Sequence, residues 1–85
     1  MKKYLEKKIT KYVIATLDNP TLYLKKVPGE LKYGFVEDIE LATKALSSSV
    51  MKEILKYFYL DTGVKIELVV VPVEITYEII DHTTY

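Results

Sequence analysis

The 85-residue sequence has no cysteine, no tryptophan and no arginine. Without cysteine, neither a disulfide nor a thiolate metal site can stabilise the fold. A domain of about this length buries only around 60–65% of its unfolded surface and is marginally stable by itself. Oligomerisation is then the common way to bury more surface, so the composition favours an oligomer.

The missing arginine bears on nucleic-acid binding, because arginine supplies the bidentate contacts to guanine and phosphate. All twelve basic residues are lysine, which argues against sequence-specific reading of DNA or RNA. The net charge is zero, yet residues 1–34 carry eight lysines and three acidic residues, whereas residues 35–85 carry four lysines and nine acidic residues. Either the two halves neutralise each other within the fold, or the split steers a partner.

Long hydrophobic runs are missing too. No apolar run approaches the roughly 20 residues of a membrane span, and residues 1–8 lack the apolar segment of a signal peptide. We therefore expect a cytoplasmic protein without a membrane partner, which also suits the lack of cysteine.

Groups that could carry catalysis are scarce. His82 is the only histidine and lies in a polar tail, residues 82–85, which we expect to be frayed. Gly29 and Gly34 belong to no phosphate-binding loop, and the serines at 47–49 suit helix capping better than nucleophilic catalysis. The sequence therefore predicts a protein that is not an enzyme, with no catalytic residue, no metal site and no cofactor.

A stretch rich in β-branched residues, residues 64–80, dominates the C-terminal part. Its apolar residues occupy even positions from Val64 to Val70 and odd positions from Val71 onward. Because side chains alternate with period two, the change near Pro72 predicts a bulge or bend between two strand segments. The second segment has more apolar residues than one small sheet covers, which predicts a homodimer or higher oligomer. The expected interface residues are Val71, Val73, Ile75, Tyr77 and Ile79.

Three shorter strands precede this stretch and are separated by turns rich in proline, glycine and aspartate. They are expected at Thr10–Leu17, Thr21–Val27 and Leu31–Val36, and the turns between them at Asp18–Pro20 and Pro28–Glu30. Short turns between short strands favour an antiparallel meander. The lysine-rich residues 1–9 are expected to form a basic arm in front of a single domain, residues 10–81.

Two helices are expected between the meander and the last strand. Asp38 is a plausible N-cap for the first, in which Ile39, Ala42 and Leu46 form an apolar stripe. The second helix has its stripe from Val50 to Phe58 and should end at Gly63. The order β-β-β-α-α-β predicts an α+β fold: a meander, a long bent C-terminal strand beside the first strand, and both helices packed on one sheet face.

Tyrosine is frequent, with eight residues. The expected alternation places Tyr12 and Tyr23 on one face of the meander, with Lys25 and Lys26 near them. Such a face suits a base-stacking platform, a protein-binding surface, or a second small core or oligomer contact. The acidic residues at 37–40 suit a contact patch, a cation site or favourable charge at a helix start. The candidate partner-binding residues are Tyr12, Tyr23, Lys25, Lys26, Glu37, Asp38 and Glu40.

Three segments carry a family resemblance: Lys11-Tyr12-Val13-Ile14, then Leu22-Tyr23-Leu24-Lys25-Lys26, then Phe35-Val36-Glu37-Asp38-Ile39-Glu40-Leu41-Ala42-Thr43-Lys44. A helix and a final strand rich in valine and glutamate follow. From Tyr12 to Ile80 this order resembles small uncharacterised proteins encoded by phages and prophages of low-GC Gram-positive bacteria. The resemblance implies a phage accessory gene, and such genes often encode inhibitors of host or defence proteins, including anti-CRISPR proteins.

The leading hypothesis is a non-enzymatic phage protein that binds a bacterial protein target, such as a defence nuclease, and blocks it by covering its surface in the host cytoplasm. The alternative is a small nucleic-acid-binding regulator that uses strand tyrosines and the lysines at positions 2, 3, 7, 8, 11, 25 and 26.

Overall fold

The computed structural model describes residues 4–27 and 32–80 as an antiparallel sheet with one α-helix. The elements are β1 (Tyr4–Thr16), β2 (Tyr23–Lys26), β3 (Tyr33–Val36), a 3-10 turn (Ile39–Leu41), α1 (Ser48–Thr62) and β4 (Leu68–Ile80). The strands lie in the order β3-β2-β1-β4. The α+β class and the pairing of the last strand with the first are therefore confirmed. The expected turn at Pro28–Glu30 and the tail with His82 lie outside the described residues.

Side-chain alternation gives the sheet two faces, one of which packs against α1. We call that side the helix face and the opposite side the open face. On β1 and β4 the even-numbered residues lie on the helix face and the odd-numbered residues on the open face, since paired residues such as Ile14 and Val70 share a face. The main core lies between α1 and the helix face and contains Ile14, Leu24, Met51, Phe58 and Leu68.

Phe58 lies at the centre of this core, with only 2% of its surface exposed. Its ring meets the rings of Tyr33, Phe35 and Tyr59 edge-on, with centroids 5.2, 5.9 and 5.7 Å away. Such edge-to-face contacts add to the stabilisation that burial alone provides. The short strand β3 is thus held to α1 by aromatic side chains.

The predicted second helix is present as α1. It begins after Ser47 and ends at Gly63, whose backbone is left-handed (φ 67°) and whose N–H donates to the carbonyl of Tyr59. A left-handed residue after a helix suits glycine, because glycine has no Cβ to clash. The Ser47 hydroxyl, however, bonds the Ser49 hydroxyl at 2.6 Å and makes no cap bond to the helix.

The predicted first helix is wrong, because only the 3-10 turn forms there. Asp38 does act as its N-cap, accepting from the Glu40 N–H at 2.9 Å. After Leu41 the chain becomes extended: the Thr43 N–H donates to the Leu24 carbonyl, and Ala45 exchanges two hydrogen bonds with Tyr12. Thr43 and Ala45 therefore make their backbone hydrogen bonds with β2 and β1 rather than within a helix.

The predicted bulge at Pro72 is also wrong, as is a strand start at Val64. β4 begins at Leu68, and all thirteen residues pair one-to-one with β1. Tyr12, opposite Pro72, bonds Ala45 with its N–H and carbonyl, so the Tyr12–Pro72 pair exchanges no hydrogen bond. The nitrogen of Pro72 points away from β1, so the missing N–H removes no hydrogen bond between β1 and β4.

β1 is longer than expected. It starts at Tyr4, so residues 4–9 of the predicted basic arm are part of the sheet, paired with residues 75–80 of β4. No helix in the described part of the chain has both the length and the hydropathy that a membrane span requires.

Tyr33 provides a pH-dependent link between β3 and α1. Its hydroxyl donates to the Asp61 carboxylate at 3.0 Å. Burial raises the pKa of Tyr33 above its ordinary value, and the hydrogen bond to Asp61 and the charge of Asp61 raise it further. As the pH rises past about 10, a tyrosine in the unfolded chain loses its proton first, so this link stabilises the fold below that pH and less above it.

We therefore expect Tyr33→Phe to lower the free energy of unfolding by about 0.5–1.5 kcal/mol at neutral pH. The difference between wild type and variant should shrink as the pH rises from about 9 to 11. Urea unfolding of both proteins across that range measures it. A difference that stays constant through pH 11 would show that the link does not titrate.

Candidate partner-binding face

The sheet extends beyond its core as a two-stranded ribbon, residues 4–11 of β1 and 73–80 of β4. Among the described residues, the outer edge of β1 is bonded or paired only from Tyr12 onward: Tyr12 with Ala45, Ala15 with Tyr23, and Thr16 with Leu22. From Thr10 back to Tyr4 that edge is open, and no described strand pairs with the outer edge of β4. The ribbon makes the chain elongated, 56 Å along its longest axis. A two-stranded ribbon is marginally stable in water by itself.

The two faces of the ribbon differ in polarity. On the open face, Ile9 lies opposite Ile75, Lys11 opposite Val73 and Lys7 opposite Tyr77. The helix face of the ribbon is polar over the same length. Its residues are Glu6, Lys8, Thr10, Glu74, Thr76 and Glu78. Val73, Ile75 and Tyr77 are therefore presented on the side away from α1.

The connection between β3 and α1 forms one wall beside this apolar surface. Ile39, Glu40 and Lys44 line a cleft of about 540 Å³ together with β4 residues Val73–Tyr77 and Lys11. Because Lys11, Val73, Ile75 and Tyr77 lie on the open face, the connection passes along that face. On the open face this cleft is lined by the apolar side chains of Ile39, Val73 and Ile75, by Tyr77, and by the charged residues Lys11, Glu40 and Lys44.

Hydrogen bonds within the connection hold this wall in place. The Lys44 ammonium donates to the carbonyl of Glu40 at 2.9 Å and to that of Ala42 at 3.2 Å. The Asp38 cap fixes the start of the same turn. The wall is therefore a preformed part of the fold.

The burial of side chains along the open face shows where that face becomes exposed. Val13 is fully buried and Ala15 is 4% exposed, although neither faces α1. Further along the same face Val73 and Ile75 are half-buried, and Tyr77 is 44% exposed. The side chains of the open face thus become more exposed along β4, from the core toward the end of the ribbon.

The structure separates most of the candidate partner-binding residues. Tyr12 lies on the helix face against the core, whereas Tyr23, paired with Ala15, lies on the open face. The predicted shared tyrosine face is therefore wrong. Lys25 is exposed on the open face, and the half-buried Lys26 donates its N–H to the Thr43 hydroxyl at 2.7 Å.

Of the acidic candidates, Glu37, Asp38 and Glu40 are all exposed, and Glu40 lines the cleft. There it meets three of the expected interface residues, Val73, Ile75 and Tyr77. The remaining two are placed by pairing alone: Val71 lies opposite Val13 and Ile79 opposite Leu5.

Sequence reasoning missed Ile9, Ile39 and Lys44 as members of this face, and it named Lys11 only among the lysines that could bind nucleic acid. Ile9 stands between the polar residues Lys8 and Thr10, as an apolar residue does in a strand, but the surrounding lysines suggested an arm. For Ile39 and Lys44 there was no such signal, because their place depends on a connection that crosses the sheet.

No group of three His, Asp or Glu side chains among the described residues is placed to hold a metal ion. Comparison of the chain with protein-family models, with curated proteins and with solved structures gave no match.

Proposed function

We infer that this chain is a non-enzymatic protein-binding protein whose target docks on the open face of the ribbon. The observation that carries the proposal is the preformed cleft, in which the apolar side chains of Val73, Ile75 and Tyr77 lie beside the charged wall of Glu40 and Lys44. An apolar centre with a charged rim is the usual anatomy of a protein interface. Tyrosine is also a frequent hot-spot residue.

In its narrower form the proposal is a phage-encoded inhibitor that covers the surface of a bacterial host or defence protein, as an anti-CRISPR protein does. The resemblance of residues 12–80 to phage accessory proteins supports this form. The charged rim supplies the specificity, because a target must place opposite charges against Lys11, Lys44 and Glu40.

A matched pair of tyrosines tests the binding face. Tyr77 in the cleft is 44% exposed, and Tyr57 on α1 is 50% exposed. We expect wild type and Tyr57→Ala, immobilised and exposed to bacterial lysate, to retain the same protein, and Tyr77→Ala to retain at least about tenfold less of it, as a hot-spot loss implies. Equal recovery by all three proteins, or none above a bare support, would contradict the proposal.

The second candidate is a nucleic-acid-binding regulator, and one observation favours it: Lys7, Lys11 and Lys25 all lie on the open face. Lys8 and Lys26 lie on the other face, so the lysines are divided. Binding through phosphates weakens steeply with salt. Retardation of single- or double-stranded DNA or RNA at about 50 mM salt that is lost at 200 mM would support this candidate.

A further inference from the structure

The outer edge of β4 has a defined set of free hydrogen-bonding groups. Since Pro72 points its nitrogen away from β1, the other even-numbered residues of β4 also point their backbone groups outward. At the start of the strand this edge is already occupied, because the Leu68 N–H donates to the Tyr59 hydroxyl at 3.2 Å. No described residue bonds the rest of this edge, so the free edge runs from Val70 to Ile80.

We propose that this edge pairs with the same edge of a second copy, antiparallel and around a two-fold axis at Ile75. Ile75 is the midpoint of the free edge, so this register alone uses its whole length in both copies. The two sheets then join into one of eight strands, with both helices on the same side. Each ribbon becomes part of a four-stranded sheet, which removes the weakness of a lone strand pair.

The register also matches apolar residues and separates like charges. On the open face Ile75 lies opposite Ile75 of the second copy, and Val73 lies opposite Tyr77. These are pairs without hydrogen bonds between them, in which side chains approach most closely. On the helix face Glu74 lies opposite Thr76. A shift by one residue along each strand in either direction would place Glu74 opposite Glu74 or opposite Glu78, which is unfavourable.

Pro72 fits the same register. The two-fold axis gives two pairs of Pro72 with Glu78 of the other copy, one near each end of the paired segment. Each proline removes one hydrogen bond from its pair. A proline on an edge strand also discourages pairing in other registers.

Charge complementarity supports a second copy as the occupant. On the helix face Glu6 and Glu78 lie directly opposite each other, an unfavourable pair within one ribbon. On α1, Lys52 and Lys56 line a shallow apolar depression with Leu55, Tyr59 and Leu60, and the Tyr59 hydroxyl bonds the β4 edge at Leu68. Neither lysine forms an ion pair within the described residues. In the proposed pairing Glu78 of the second copy lies beside this flank of α1.

Two matched proline variants test which edge pairs. Thr76 points its N–H to the β4 edge, and Lys8, its partner in register, points its N–H to the open edge of β1. Neither N–H bonds between β1 and β4, so neither proline removes a hydrogen bond between these two strands. By sedimentation equilibrium at micromolar concentration we expect wild type and Lys8→Pro at twice the chain mass of 9.8 kDa. Thr76→Pro should sediment at the mass of one chain and keep the wild-type circular dichroism spectrum.

A wild type of 9.8 kDa at every concentration would overturn the proposal. So would a dimer lost in Lys8→Pro and kept in Thr76→Pro, or a dimer kept in both, because these outcomes place the contact on another edge or on the open face.

A charge exchange keeps the proposal testable where a proline unfolds the ribbon. Lys52→Glu and Glu78→Lys should each weaken dimerisation about tenfold, and the double variant should restore it. Dimer constants unchanged by either single substitution would contradict the placement of Glu78 beside α1. Self-association is measured without a target, so its failure is distinct from a failure of the proposed function.

Discussion

Replacing Phe58 by alanine should lower the free energy of unfolding by about 3–5 kcal/mol. The ring is buried and holds Tyr33 and Phe35 of β3 against α1. Its loss leaves a cavity that three surrounding aromatic rings cannot fill without moving. Domains of this size are stable by only about 5–15 kcal/mol, so the substitution removes a large share of the total stability. Urea unfolding followed by circular dichroism measures the change.

The matched control is Leu60→Ala on the same helix. Leu60 is 68% exposed, so this substitution should change stability by no more than about 0.5 kcal/mol. A Phe58→Ala protein as stable as the Leu60→Ala protein would show that the core is not organised around Phe58.

Replacing Val13 by aspartate should be nearly as damaging, with a loss of at least about 3 kcal/mol. Val13 is fully buried although it lies on the face away from α1. The connection from β3 to α1 passes along that face, and a carboxylate at this fully buried position would be desolvated without a partner. Unfolding in urea at neutral pH measures the loss.

Ile9→Asp is the control on the same strand and the same face. Ile9 lies four residue pairs further along the ribbon and is half-buried, so the loss for Ile9→Asp should be only about 1 kcal/mol, measured on dilute protein. Equal losses of unfolding free energy for Val13→Asp and Ile9→Asp would contradict the conclusion that the open face becomes less buried toward the ribbon. The pair thus marks where the folded core stops and the proposed binding face begins.

The α+β class, the helix that ends at Gly63 and the antiparallel pairing of the last strand could be predicted from local pattern. The change of apolar parity in β4 was also visible, but its cause was not. It marks the point where α1 stops covering the helix face, and the strand passes that point without a bulge. A sequence shows which positions are apolar; which layer covers them depends on the tertiary structure.

Two other differences have physical causes of the same kind. Residues 4–9 form a strand because residues 75–80 pair with them, and lysine-rich local propensity does not reveal a pairing so distant in sequence. The helix expected after Asp38 gives way to the bonds that Thr43 and Ala45 make with β1 and β2. In the candidate site, the alternation of apolar residues along the strand predicted the β4 residues. It did not predict the wall of Ile39 and Lys44.

The most direct test of the claim that another chain completes the ribbon is amide hydrogen exchange along β4. The inward N–H groups of Val73, Ile75 and Tyr77 bond β1 and should exchange slowly at all concentrations. The outward N–H groups of Glu74, Thr76 and Glu78 should be equally slow in concentrated protein and become fast on dilution. Outward amides that exchange freely at every concentration would contradict the claim.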